Sequence, residues 1–175
     1  MIEALLVLGG LVAGAGATLL IRRRHGESRP APARRILFPY VGSQLSIAAL
    51  DAALRIATIE NATLVPAYLA PVPMAMPLEA PMPRTCGRAF DLQEAIEHRA
   101  AAAGVPVDGR IGRGRTIRHA LRELLAAERY DRIVVAAATA RTDGLSAEEV
   151  AWLLEHAAGE VAVLRPADEE ALVAA

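Results

Sequence analysis

The sequence predicts an α/β fold: a five-stranded, mainly parallel sheet with helices on both faces, preceded by one transmembrane helix. Three observations carry this expectation. From Arg34 onward, short β-type runs alternate with longer helical ones, and that alternation demands crossover connections and a parallel sheet. Hydrophobic residues make up 54% of the 175 residues while aromatics make up 3%, so a core is available but must be built from Ala, Val, Leu and Ile. Ahead of that pattern lies a charge-free apolar run, Ala4 to Ile21.

That run is 18 residues, which as a helix spans roughly 27 Å, enough for a hydrocarbon core. Arg22, Arg23 and Arg24 follow it directly, whereas Glu3 lies on the other flank. The positive-inside rule then places the N-terminus outside and the rest of the chain in the cytoplasm, anchored to the cell membrane. A cleaved signal peptide would carry its positive charge before the apolar run, not after it. Gly10 and Gly14 form a Gly-x-x-x-Gly pair of the kind that dimerises membrane helices. Residues 22–33 form the basic flank and a Pro-rich tether.

The soluble part, residues 34–166, follows in order. "RILFPYV" (35–41) reads as the first strand. The helix over 46–60 places Ile47, Leu50, Leu54 and Ala57 on one face. "ATLVPAYLA" (62–70) is the second strand. Pro71 to Cys86 reads as an irregular apolar loop, because Pro71, Pro73, Pro77, Pro81 and Pro83 interrupt any regular ladder. A helix over 90–103 turns Leu92, Ala95 and Ile96 inward, and "VPVDGRI" (105–111) is a weak third strand. The helix over 116–128 shows Ile117, Ala120, Leu121, Leu124 and Leu125 at helical spacing. "DRIVVAAA" (131–138), a helix over 147–158 and "EVAVLRP" (160–166) complete the pattern. Residues 167–175 read as a frayed or helical tail.

Charge and composition exclude several function classes. The net charge of −1 offers no global attraction to nucleic acid. All 19 basic residues are Arg, which removes any Lys nucleophile and any phosphate-loop Lys. The single cysteine, Cys86, excludes an internal disulfide and a Cys-based zinc site. His25, His98, His119 and His156 are scattered, with no His-x-x-x-His and no paired carboxylates. A binding module rather than an enzyme is the expectation, with no metal.

"RILFPYVGS", "GRGRTIRHALRELLAAERYDRIVVAAA" and "WLLEHAAGEVAVLRP" together resemble the universal stress protein domain. "RILFPYVGS" is similar to that family's Ile-Leu-Val-Pro-Val-Asp-Gly-Ser opening, matching at Pro39, Gly42 and Ser43. "GRGRTIRHALRELLAAERYDRIVVAAA" resembles its glycine turn, third helix and fourth strand, and "WLLEHAAGEVAVLRP" resembles its close. The resemblance implies an adenine-nucleotide-hydrolase-like sandwich, often dimeric through the last strand, with ATP-binding and non-binding members. The binders carry Gly-x-x-Gly and then Gly-Ser or Gly-Thr after the fourth strand. Here "AAATARTDGLSAEEV" stands in that place, and Val41 stands where binders have an acid.

The residues themselves point the same way. Ser146 and Glu149 form a capping box that serves the helix's own free N–H groups. A phosphate at that helix start would also face Asp143, Glu148 and Glu149. At ~7 Å and an effective dielectric of ~20, each carboxylate costs about 2 kcal/mol against a unit anion. The expectation is therefore a degenerate nucleotide site, with no cofactor. The alternative is ATP bound at a non-standard phosphate site made of Gly42, Ser43, Gly112, Arg113 and Gly114. In "RIGRGRTIR" two glycines free the backbone and arginines cluster at a helix start, as an anion site requires. Ser43 reads first as a helix-start residue. The loop Pro71 to Cys86 offers a soft surface for a protein partner or the membrane, a lid over the crevice, or Cu(I) binding by Met74, Met76, Met82 and Cys86.

Overall fold

A computed structural model describes residues 34–140, 142–165 and 171–173. They belong to one compact unit, Ala33–Ala175. The apolar run 4–21 and its basic flank lie outside the described residues. Among the described residues no helix is long and apolar enough to cross a membrane.

The elements are β1 (Arg35–Tyr40), β2 (Gln44–Ser46), α1 (Ile47–Glu60), β3 (Thr63–Pro71), α2 (Pro83–Ala102), β4 (Arg110–Gly114), α3 (Ile117–Ala127), β5 (Arg132–Ala136), α4 (Ala147–His156), β6 (Glu160–Leu164) and β7 (Ala171–Val173). The main sheet has the order β4-β3-β1-β5-β6, and all of its pairings are parallel. The expected five-stranded parallel sheet is therefore present. Strand alternation divides the core into two layers. Ile36, Phe38 and Tyr40 of β1 pack with Leu50 and Leu54 of α1 and Leu92 and Ile96 of α2. Leu37, between them, faces Leu121 of α3 and Leu153 of α4. Period two in the strands and period 3.6 in the helices suffice to build both faces.

Four expected boundaries are corrected. The Pro-rich loop is shorter than Pro71–Cys86, because α2 already begins at Pro83. Proline is tolerated in the first helical turn, where its missing N–H has no partner to lose. The third strand runs over Arg110–Gly114, not 105–111. Val105 is instead recruited to the end of α2: its N–H donates to the Ala100 carbonyl at 2.9 Å and that of Gly104 to Ala101 at 3.1 Å. With Gly104 at φ +68°, this is a Schellman closure, and Val105 is buried in it. Val107 keeps only an isolated parallel bridge to Leu64. The tail is neither frayed nor helical over Ala171–Val173, which pairs antiparallel with β2 in a small second sheet. Finally, Ser46 rather than Ser43 caps α1, its hydroxyl accepting from the Ala49 N–H at 3.2 Å.

At the amino end of the sheet, charges alternate in a closed square. Arg35 bridges Asp108 (2.6 Å) and Glu128 (2.8 Å), and Arg110 bridges the same two acids at 2.9 and 3.1 Å. The hydrogen bond that Arg35 donates to the Asp108 carboxylate holds its guanidinium above its ordinary pKa, against the lowering effect of burial.

Candidate closed crevice at the sheet switch point

The chain runs from β1 outward through β3 to β4, then returns to the other side of β1 as β5 and β6. The strand order reverses between β1 and β5, and open parallel sheets bind ligands beyond the carboxyl ends of the strands at such a point. Two segments border it here: Val41–Ser43 after β1 and residues 137–140 and 142–146 after β5.

The second segment folds back on itself. The Ala138 N–H donates to the Leu145 carbonyl and the Leu145 N–H to the Ala136 carbonyl, both at 2.9 Å. Thr139 and Thr142 share a hydroxyl hydrogen bond of 2.7 Å, and the Thr142 N–H donates to the Thr139 Oγ1 at 3.0 Å. Leu145 is 1% exposed and Thr142 3%, so this turn presents packed side chains where a phosphate loop presents open backbone. Gly144 permits the fold-back, since a Cβ there would lie 2.6 Å from the Ala136 carbonyl oxygen. The helix start is served as expected: the Ser146 Oγ accepts from the Glu149 N–H at 3.3 Å, and the Glu149 Oε2 accepts from the Ser146 N–H at 2.7 Å. Glu148 pairs with Arg118 of α3 at 2.8 Å.

Asp143 joins the two segments. Its Oδ2 accepts from the backbone N–H groups of Ser43 (2.7 Å) and Gln44 (2.9 Å), while its own N–H donates to the Gln44 carbonyl at 3.0 Å. Gly42 lies at φ +72°, a left-handed conformation natural for glycine, and a Cβ there would overlap the Asp143 carboxylate. Sequence reasoning counts Asp143 only as a repelling charge. Its partner Ser43 is 100 positions away, so no local spacing marks it.

The other nominated residues fall elsewhere. Gly112, Arg113 and Gly114 lie within β4, not in a turn, which corrects the reading of this stretch as an open anion loop. Their glycines serve packing against α3. A Cβ on Gly112 would lie 2.8 Å from Leu124 Cδ1, and one on Gly114 would overlap the Ala120 backbone. The arginines tie down the Pro-rich loop. Arg113 donates to the Ala80 carbonyl at 3.3 Å. One Arg115 nitrogen reaches the carbonyls of Pro73 and Met76, both at 2.7 Å, and that of Val72 at 3.5 Å. Gly42 and Ser43 border the crevice, so the five residues do not converge on one place. Among the described residues there is no cluster of three or more His, Cys, Asp or Glu able to hold a metal.

Three open spaces lie elsewhere on the domain. A groove of 690 Å³ separates α1 from α2, lined by Leu54, Ile59, His98 and Arg99. A cavity of 450 Å³ between α2 and β4 is lined by Tyr40, Phe90, Gln93, Glu97 and Ile111. A third, of 360 Å³, involves Tyr130, Ile133 and His156. Burial pushes the Tyr40 hydroxyl well above its ordinary pKa, and the same cause raises Tyr130. Neither is poised as an acid or base near neutrality.

The profile of the Universal stress protein family matches residues 32–165. No curated protein matches the chain. Among solved structures, a universal stress protein family member from Burkholderia pseudomallei is 23% identical at a TM-score of 0.55, covering 78% of this chain and 100% of that one. The universal stress protein UspA from Lactobacillus plantarum is 21% identical at 0.58, covering 77% and 99%. A universal stress protein solved in complex with cAMP is 19% identical at 0.59, covering 78% and 100%.

Proposed function

The chain belongs to the universal stress protein family, and from that membership we propose that it is a membrane-anchored regulatory or binding module, not an enzyme, whose nucleotide crevice is closed by its own loop. The observation that carries this reading is the Asp143 carboxylate seated on the Ser43 and Gln44 N–H groups at the switch point. Any nucleotide phosphate entering there must first displace a bound carboxylate, then lie beside it. The module acts through contact, either between two copies or with a protein partner along the Pro-rich loop. Support for self-association comes from β6, which among the described residues pairs on one side and leaves Val163 42% exposed. The anchor is the apolar run 4–21 with its arginine flank, which holds the domain on the cytoplasmic side of the cell membrane.

Titration of ATP into the detergent-solubilised full chain tests the closed crevice. No saturable heat is expected, and a Kd below about 50 µM would sink the reading. The second reading is a nucleotide-binding stress protein that uses Gly42 and Ser43. It is favoured by the family relative solved with cAMP. The same titration with cAMP decides it.

A further inference from the structure

We propose that the successive N–H groups of Ser43 and Gln44 form a latent oxyanion site, for a phosphate-type group, that Asp143 occupies as a built-in ligand; this rests on the closed-crevice reading above. The two N–H groups converge on a single oxygen, Asp143 Oδ2, at 2.7 and 2.9 Å. Converging backbone N–H groups after a left-handed residue make an anion-binding concavity, and such bonds are stronger when the acceptor is charged. The concavity stands at the carboxyl end of β1 beside β5, where open parallel sheets hold ligands. Among the described residues Asp143 makes no ion pair, so within them its charge is met by backbone dipoles.

Two features make the occupancy releasable. The Asp143 N–H is bonded to the Gln44 carbonyl at 3.0 Å, so the segment stays attached when the side chain leaves. Gly42 has no side chain, and the volume a Cβ would fill is taken by the carboxylate. Departure of that carboxylate therefore opens both the donors and the space in front of them. In the native chain the tethered carboxylate acts at an effective concentration in the millimolar range or above, which keeps free anions out.

The test uses inorganic phosphate as the probe, at constant ionic strength set with chloride. Hydrogen exchange of the peptide spanning residues 41–46 is followed in the full chain, in Asp143→Ala and in the isosteric Asp143→Asn. The native chain is expected to be indifferent to phosphate. Asp143→Ala is expected to exchange about tenfold faster at Ser43 and Gln44 and to regain protection with millimolar phosphate. Asp143→Asn keeps the shape of the side chain and a neutral oxygen that can accept the same two bonds, so it covers the case in which the alanine variant does not fold; millimolar phosphate, being charged, should displace this weaker acceptor and change the exchange at Ser43 and Gln44. Folded variants that exchange faster yet ignore phosphate would overturn the latent site. So would equal phosphate protection in the native chain. Neither result touches the ATP titration of the native chain, so failure of this site and failure of the closed-crevice reading are told apart.

Discussion

Tyr40 ends β1 at 3% exposure, its ring edge-on to Tyr68 at 5.5 Å and its hydroxyl 3.3 Å from Gln93 Oε1. Burial is the largest cause of its raised pKa, ahead of the charges of Tyr68 and Glu97. The sign for stability follows from proton counting. Above the ordinary tyrosine range the unfolded chain releases this proton while the folded chain keeps it, so folding stability is whole below about pH 10 and falls as pH rises above it. The limiting slope is about 1.4 kcal/mol per pH unit for one such group. In Tyr40→Phe that slope should flatten in urea unfolding series between neutral and strongly alkaline pH. An unchanged slope would mean that the proton is not held by this site. Tyr130, shifted the same way by burial, adds to the slope with the same sign. At this scale the residues that could be read from the sequence were those whose partners lie within one helical turn. Ser146 and Glu149 cap each other across three positions, and that spacing is visible by itself. Asp143 and Ser43 meet only because three crossovers bring β1 and β5 side by side.

Among the elements, the Pro-rich segment differs most from its expected form. Proline spacing excluded a helix over most of it, and that much holds. What fixes it is a strand on the far side of β3: β4 and the residue that follows it deliver Arg113 and Arg115, whose guanidinium groups donate to the segment's carbonyls. A segment poor in backbone donors leaves carbonyls unsatisfied, and a planar cation with five donors answers several at once. Arg115→Ala should therefore release residues 72–80 without unfolding the sheet. The expected cost is about 1.5–3 kcal/mol, with protease cleavage appearing first within that segment. Cleavage spread evenly over the domain would contradict a local clamp. The same pair of glycines that looks like an anion turn in "RIGRGRTIR" serves to bring β4 against α3. A glycine needed for a close approach and a glycine needed for a bare loop look the same in one dimension.

For the whole molecule, the proposed function makes an assembly prediction. If copies associate through the open edge of β6, Val163→Glu should weaken that association, since it puts a charge on an exposed apolar edge. Analytical ultracentrifugation in detergent should then show a dimer for the native chain and a monomer for the variant. Equal sedimentation of the two would move the contact elsewhere.

Hydrophobic period and segment length determined the fold class, the five parallel strands and the two core layers, because both are local quantities set by the backbone repeat. Chain order alone could not say whether "AAATARTDGLSAEEV" is an open phosphate loop or a closed one. Its glycine count argued against phosphate, and its capping box was legible. The reason it is shut was not, because the carboxylate of Asp143 finds its donors in the turn after β1, Ser43 lying 100 positions away. That contact, the β2–β7 pairing and the arginine clamp are all products of the sheet order β4-β3-β1-β5-β6. They exist only once nonlocal packing has set that order, and that is where closure of the crevice is decided.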